Sequence, residues 1–426
     1  MDAKIKPLLE AAVKDKKVPG IAAVLVDSEG NFLLKEAFGT TNLDDVNAAP
    51  YTVDTTMQMF STTKLVASIA ALQLVEQGKL SLSDPVEKYE PRISKMQVLE
   101  GFTDDEPSKP ILRAPKSKPT VLQLITHTTG FSYDFFDEPT LKYRLSTGHP
   151  PAGYSGESKF EDFNTPLLTD PGTKYIYGTN IDWLGWVVEA VAKTSLAHYV
   201  DENILKPLGM NDTGEHLSAD NPRMYMHFEV DGKLVVVPEV RNAAEPEEYG
   251  GGGYLWGTIN DYAKLMATVL NNGTSPHTGK SILKPETVKE YLFTDHLPSD
   301  IDRSLLGESG NSIPQLSSNG CFFPTLPHQS RGWSCGMLLN LEDLPYGRKK
   351  NSGAWAGLGN LYYWIDPTSG LAGMVTTQVF PFFHPVPLKI FDELERVAYG
   401  HELAGPEDND KMNHRSDHPT PSQAKI

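Results

Sequence analysis

Ser61 and Lys64 stand three residues apart at the head of an apolar run, residues 65–78. That run has the pattern of a helix stopped by Gly78. Residues three apart share a helix face, so the hydroxyl and the ammonium would point the same way. Burial disfavours the charged form of a lysine and frees it to take the serine proton, which makes the serine an activated nucleophile. A bare Ser-x-x-Lys arises by chance about once or twice in a chain this long, and most such pairs are exposed helix residues. The apolar surround of Lys64, where a solvent-facing lysine has little reason to sit, sets this pair apart.

Two further segments carry chemistry-capable groups. Tyr177 follows the tight turn Asp170-Pro171-Gly172-Thr173. A tyrosine oxygen held near a lysine can accept the nucleophile's proton and return it to a leaving group. It can equally be a core aromatic with a satisfied hydroxyl, and spacing does not choose between them. The stretch Ser352-Gly353-Ala354-Trp355-Ala356-Gly357-Leu358-Gly359-Asn360 lets a substrate approach the backbone. An N–H there, with that of Ser61, could bind an oxyanion; the alternative is a Gly-rich turn into a strand. His127 reads as structural. No histidine and carboxylate spacing fits zinc, and the glycines at 250–253 lack a P-loop lysine, so neither metal nor cofactor is expected.

The elements that must position these residues are legible in outline. Residues 5–16 read as a helix, 21–26 and 32–38 as strands joined by a turn at 27–31, and the Ser61 helix follows. Residues 86–118 look loop-like, with many prolines. Helical patterns return at 121–125, 182–192, 260–270 and 388–399, and strand patterns at 225–238, 332–339, 361–365 and 371–379. The expected architecture is α+β: an antiparallel sheet flanked by helices, with a mainly helical lobe inserted. The expected domains are an α/β lobe of residues 1–85 with 236–403, a helical lobe of 86–235, and a disordered polar tail of 404–426. The cleft between lobes is the default small-molecule site.

With 426 residues the chain can build a large core, and a net charge of −17 argues against nucleic acid or an anionic membrane as partner. No stretch is apolar enough to span a bilayer. Cys321 and Cys335, the only two cysteines, read as reduced thiols. Together with an N-terminus lacking a signal-like run, they point to the cytoplasm. The terminal Ala424-Lys425-Ile426 loosely matches a peroxisomal tripeptide and supplies the alternative.

Ser61-Thr62-Thr63-Lys64, Tyr177 and Trp355-Ala356-Gly357 occur in the order of the three active-site motifs of the class C β-lactamase-like serine hydrolases and transpeptidases, and the chain resembles that superfamily. Leu124-Ile125-Thr126-His127-Thr128-Thr129-Gly130 and Gly251-Gly252-Gly253-Tyr254 extend the resemblance across residues 5–400. Within it the chain is most similar to fungal lovastatin-type acyltransferases and family VIII esterases. The resemblance implies Ser61 as the acylated nucleophile, Lys64 assisting its deprotonation, Tyr177 as general base and acid, and the N–H groups of Ser61 and Leu358 as the oxyanion hole. Trp355, Ala356, Gly357, Phe131, Tyr133 and Trp256 would line an apolar substrate pocket. Trp355 stands where true β-lactamases carry a cation, which implies poor β-lactam hydrolysis. In place of the usual Tyr-x-Asn stands Tyr177-Gly178-Thr179, with Asn180 one place late. The reading is an acyltransferase moving an acyl group from an ester or thioester (a coenzyme A or carrier-protein thioester included) to a hydrophobic alcohol in secondary metabolism. The alternatives are an esterase or lactone hydrolase using water, and a non-catalytic receptor with the same fold.

Overall fold

Strand β1, Gly20–Asp27, is a continuous apolar run, and it is buried along nearly its whole length. Such a run belongs at the centre of a sheet covered on both faces. In this computed structural model, which describes residues 1–151, 158–216, 221–237, 247–321 and 329–405, β1 lies between β2 (Phe32–Gly39) and a C-terminal strand. The other strands are β3 (Arg331–Trp333), β4 (Leu338–Asn340), β5 (Gly353–Gly357), β6 (Leu361–Asp366) and β7 (Leu371–Thr376), and the sheet order is β3-β4-β5-β6-β7-β1-β2. All neighbours are antiparallel. The two ends of the chain therefore share one sheet, joined by β1 and β7 in register from Ala22 opposite Thr376 to Asp27 opposite Leu371.

Helices α1 (Asp2–Lys14) and α5 (Pro385–Ala398) pack together and against β1, while α4 (Ile259–Leu270) packs on β1, β6 and β7. Helix α2 (Thr63–Glu76) is apolar all round and buried from Thr63 to Leu74. A helix with no polar stripe must be enclosed, and α3 (Asn180–Ala192) packs beside it.

Two expectations need correction. The loop-like stretch 86–118 contains a hairpin, Val98–Phe102 with Pro110–Arg113. A register shift between Leu99 and Gly101 breaks the alternation that would have revealed it. The apolar run 332–339 is two strands, because Ser334 Oγ accepts from the Met337 N–H at 3.0 Å and closes a turn between β3 and β4. The 352–360 stretch is a buried strand over 353–357 followed by a turn at 358–360 that leads into β6. The polar tail, with Ala424-Lys425-Ile426, lies outside the described residues from position 406 on, as does the side chain of Cys321. Among the described residues no helix is long and apolar enough to cross a membrane.

Candidate active site

Ser61 sits in a 3-10 turn, Phe60–Thr62, that leads directly into α2. The helix proper begins at Thr63, two residues before the apolar run from which it was read. Phe60 has φ +46°, a left-handed conformation that costs energy for a non-glycine residue. Neighbours hold the turn in place. The Thr62 hydroxyl donates to the Met59 carbonyl at 2.7 Å, and the Tyr262 hydroxyl donates to the Thr62 carbonyl at 3.0 Å.

Lys64, in the first turn of α2, is 1% exposed. Its Nζ lies 3.0 Å from Ser61 Oγ, 3.0 Å from the Tyr133 hydroxyl and 2.9 Å from the Gly252 carbonyl. Nζ thus has three polar partners, and in the ammonium form each would take one of its three donors. The nearest carboxylate in this network is Asp182 of α3, 2% exposed. It accepts from the Tyr133 hydroxyl at 3.2 Å and from the Gly252 N–H at 2.9 Å. Burial raises the Asp182 pKa above the usual carboxylate value, against the pull of Lys64 and of these hydrogen bonds. Burial, and then the Asp182 charge, push the Tyr133 phenol well above its ordinary range, so it stays protonated. Gly252 is required for this approach: a Cβ there would lie 2.7 Å from both Asp182 oxygens and 2.8 Å from the Tyr133 oxygen.

Tyr177 lies beside Tyr133, their ring centres 5.4 Å apart, and Lys64 Nζ is 5.0 Å from the Tyr177 ring centre. The Trp355 indole donates to the Tyr177 hydroxyl at 3.3 Å. His127 packs on the Tyr177 ring at 4.8 Å and on Trp333 at 5.0 Å. Burial, with the Lys64 charge second, drives the His127 pKa well below 6.5. The imidazole is therefore neutral packing. Asn180, displaced by one position from the usual motif, is fully buried and lies against His127 Nδ1 at 3.2 Å, while donating to the Ile176 carbonyl at 3.2 Å. It ties the Tyr177 turn to the 127–131 loop.

Strand β5 brings the third motif to the same place. A Cβ on Gly357, its last residue, would lie 2.9 Å from the Met59 carbonyl oxygen, so the strand end abuts the Ser61 turn and delivers Leu358 beside it. Several residues expected to line a pocket are instead packed away. Phe131 is 0% exposed and stacked on Trp183 at 5.3 Å; Trp355 and Ala356 are each 1% exposed. Gly357 is buried as well, and Trp256 is held in a two-stranded bridge opposite Gln58. These aromatic and small residues satisfy core packing first, and Trp355 acts from behind Tyr177. Tyr133, Phe135, Phe136, Ser61 and Leu358 are the half-buried ones.

Sequence reasoning missed Asp182 and gave Tyr133 only an apolar role. A signal existed for the first: Asp182 is the acidic residue within the apolar opening Ile181-Asp182-Trp183-Leu184 of α3. Phe135 and Phe136 were also missed, although Tyr133-Asp134-Phe135-Phe136 directly follows the Gly130 turn. Among the described residues no group of three or more His, Cys, Asp or Glu gathers as metal ligands.

The chain matches the Beta-lactamase family over residues 2–392. It belongs to that family. Among curated proteins it is 30% identical over 408 residues to monacolin J acid methylbutanoyltransferase of Aspergillus terreus, covering 92% of this chain and 94% of that one. It is 30% identical to lovastatin esterase of Penicillium rubens, covering 87% and 91%. Among solved structures, a mutant of simvastatin synthase (LovD) from Aspergillus terreus superposes with a TM-score of 0.79 at 30% identity, over 93% of this chain and 96% of that one. These Beta-lactamase family relatives are acyltransferases and esterases, and the fold is the family's: an antiparallel sheet flanked by helices.

Proposed function

We propose that this chain is a serine acyltransferase that moves an acyl group from a small-molecule ester or thioester to the hydroxyl of a hydrophobic acceptor through an acyl-enzyme on Ser61. The observation that carries the reading is the 3.0 Å contact between Ser61 Oγ and the buried Lys64 Nζ. It stands in a chain whose relatives are named methylbutanoyltransferase and esterase. In the first half-reaction Ser61 Oγ attacks the acyl carbonyl and its proton passes to Lys64. The N–H groups of Ser61 and Leu358 hold the developing oxyanion. The tetrahedral adduct collapses, the C–O or C–S bond to the leaving group breaks, and Tyr177 donates the proton that the alcohol or thiol takes away. The acceptor hydroxyl reverses these steps. Tyr177 then takes the acceptor's proton, and the new ester leaves Ser61.

The half-buried rings of Phe135 and Phe136, which pack at 4.9 Å and 6.2 Å from Tyr133, favour an apolar acceptor. A coenzyme A or carrier-protein thioester is the donor class this chemistry accommodates. The second reading, hydrolysis, is favoured by the equal identity to the esterase relative. Incubating the enzyme with a short-chain acyl thioester, with and without an alcohol acceptor, separates the two. Ester product formed faster than free acid supports transfer. Free acid formed at the same rate whatever the acceptor overturns it in favour of the esterase.

A further inference from the structure

Hydrogen-bond directions around Lys64 form a polar chain that starts at Asp182 and ends at Ser61. Both Asp182 oxygens accept: Oδ1 from the Gly252 N–H at 2.9 Å and Oδ2 from the Tyr133 hydroxyl at 3.2 Å. A carboxylate can only accept, so the single phenolic proton of Tyr133 points to Asp182. The Tyr133 oxygen, 3.0 Å from Lys64 Nζ, must then accept from the lysine. The Gly252 carbonyl, 2.9 Å from Nζ, can only accept too. To take the Ser61 proton Lys64 must act in its neutral amine form, which has two N–H bonds and one lone pair. Both N–H bonds are claimed, by Tyr133 and Gly252, and the lone pair is left facing Ser61 Oγ at 3.0 Å.

We propose that Asp182 and Tyr133 are positioning residues that fix the polarity of this chain, so that the neutral Lys64 amine presents its lone pair, not an N–H, to the Ser61 hydroxyl. The inference rests on Ser61 being the acylated nucleophile. In the acylation step the Ser61 O–H bond breaks, the proton forms an N–H bond at Lys64, and the Oγ electron pair forms the bond to the acyl carbon. The two tyrosines then have different tasks. Tyr133 holds its proton on Asp182 throughout, while Tyr177 exchanges its own with the leaving group and acceptor.

Asp182→Asn reverses the chain. The Gly252 N–H still needs an acceptor, so the amide oxygen faces Gly252 and the amide NH2 faces Tyr133. Tyr133 then accepts from that NH2 and donates to the Lys64 lone pair, leaving Lys64 to point an N–H at Ser61. Removing the phenolic hydroxyl in Tyr133→Phe cuts the link without reversing it. The test is stopped-flow release of p-nitrophenolate from p-nitrophenyl butyrate by the wild type, D182N, Y133F and the double variant, with unfolding temperatures measured alongside. The expected acylation rate falls about 100-fold or more in D182N, within the range for removing a general base, with KM little changed. Y133F loses less. The double variant recovers to the Y133F rate, a rescue that a purely structural role for Asp182 would not produce. A double variant as slow as D182N, or slower, overturns the inference while the Ser61 burst in the wild type stands. No burst in the wild type overturns the acyl-enzyme reading and the inference with it. Should D182N not fold, a Y133F rate equal to wild type overturns the inference on its own.

Discussion

Trp355→Phe separates the two jobs assigned to that indole. Trp355 is 1% exposed, packed edge-on against Trp333 at 4.6 Å and Tyr177 at 4.8 Å, and its Nε1–H donates to the Tyr177 hydroxyl at 3.3 Å. Phenylalanine keeps an aromatic wall but vacates about 40 Å3, which at about 24 cal/mol per Å3 costs about 1 kcal/mol. Losing a buried neutral hydrogen bond adds about 0.5–1.5 kcal/mol. The fold should therefore weaken by about 1.5–2.5 kcal/mol, a fall of a few degrees in unfolding temperature for a chain of this size. Catalysis should suffer separately. While Tyr177 takes a proton from the acceptor or returns one, its oxygen gains negative charge in the transition state, where a donor is worth about 1.5–3 kcal/mol rather than about 1. The difference of about 0.5–2 kcal/mol corresponds to a rate loss of about 2–30-fold. Steady-state turnover of p-nitrophenyl butyrate well below the unfolding temperature reads the second effect, and a thermal melt reads the first. A folded W355F enzyme with the wild-type rate would refute the assignment of the indole N–H to the Tyr177 oxygen.

Other consequences follow from the same geometry. Because Trp355 replaces a cation that would pair with a β-lactam carboxylate, nitrocefin should be turned over poorly; hydrolysis at β-lactamase-like rates would contradict this. His127 has its folded pKa depressed well below the unfolded value of 6.5, so its contribution to stability is intact above pH 6.5 and is lost as pH falls below it. At pH 5.5 the loss is on the order of 1 kcal/mol. His127→Asn tolerates the φ of +55° and keeps an acceptor for Asn180; its melting temperature should drop less between pH 7.5 and 5.5 than that of the wild type. The buried pair Arg348–Glu395, 2.7 Å apart and 1% and 7% exposed, fastens the 344–350 loop to α5. Arg348→Met leaves an unpaired buried carboxylate and should cost about 3–5 kcal/mol in denaturant melts while leaving KM unchanged.

Tyr177 was singled out only by its place in the order of three motifs, whereas the Ser61–Lys64 pair stood out because its signal is local, a helix-spaced pair in an apolar run. β1, α2, α4 and α5 were legible for the same reason, since each carries its own periodicity. What makes a working site of the pair was not. The Lys64 contacts to Tyr133 and Gly252 span 69 and 188 positions, and Asp182 meets Gly252 across 70. No periodicity encodes such pairings; they exist only once α2, α3 and the glycine run pack together. The same limit explains Phe131 and Trp355. Proximity in sequence to a motif placed them near the site, but the core behind it claimed their rings. The hairpin at 98–113 was hidden by prolines and an irregular register.

The central claim is that Ser61 carries the acyl group. Intact-protein mass spectrometry after mixing with a short-chain acyl thioester or p-nitrophenyl butyrate, followed by peptide mapping, tests it directly. The account predicts a one-acyl mass increase on the peptide holding Ser61, absent from Ser61→Ala and discharged on adding an alcohol. Turnover of either donor by Ser61→Ala at the wild-type rate, or an adduct on another residue, would contradict it.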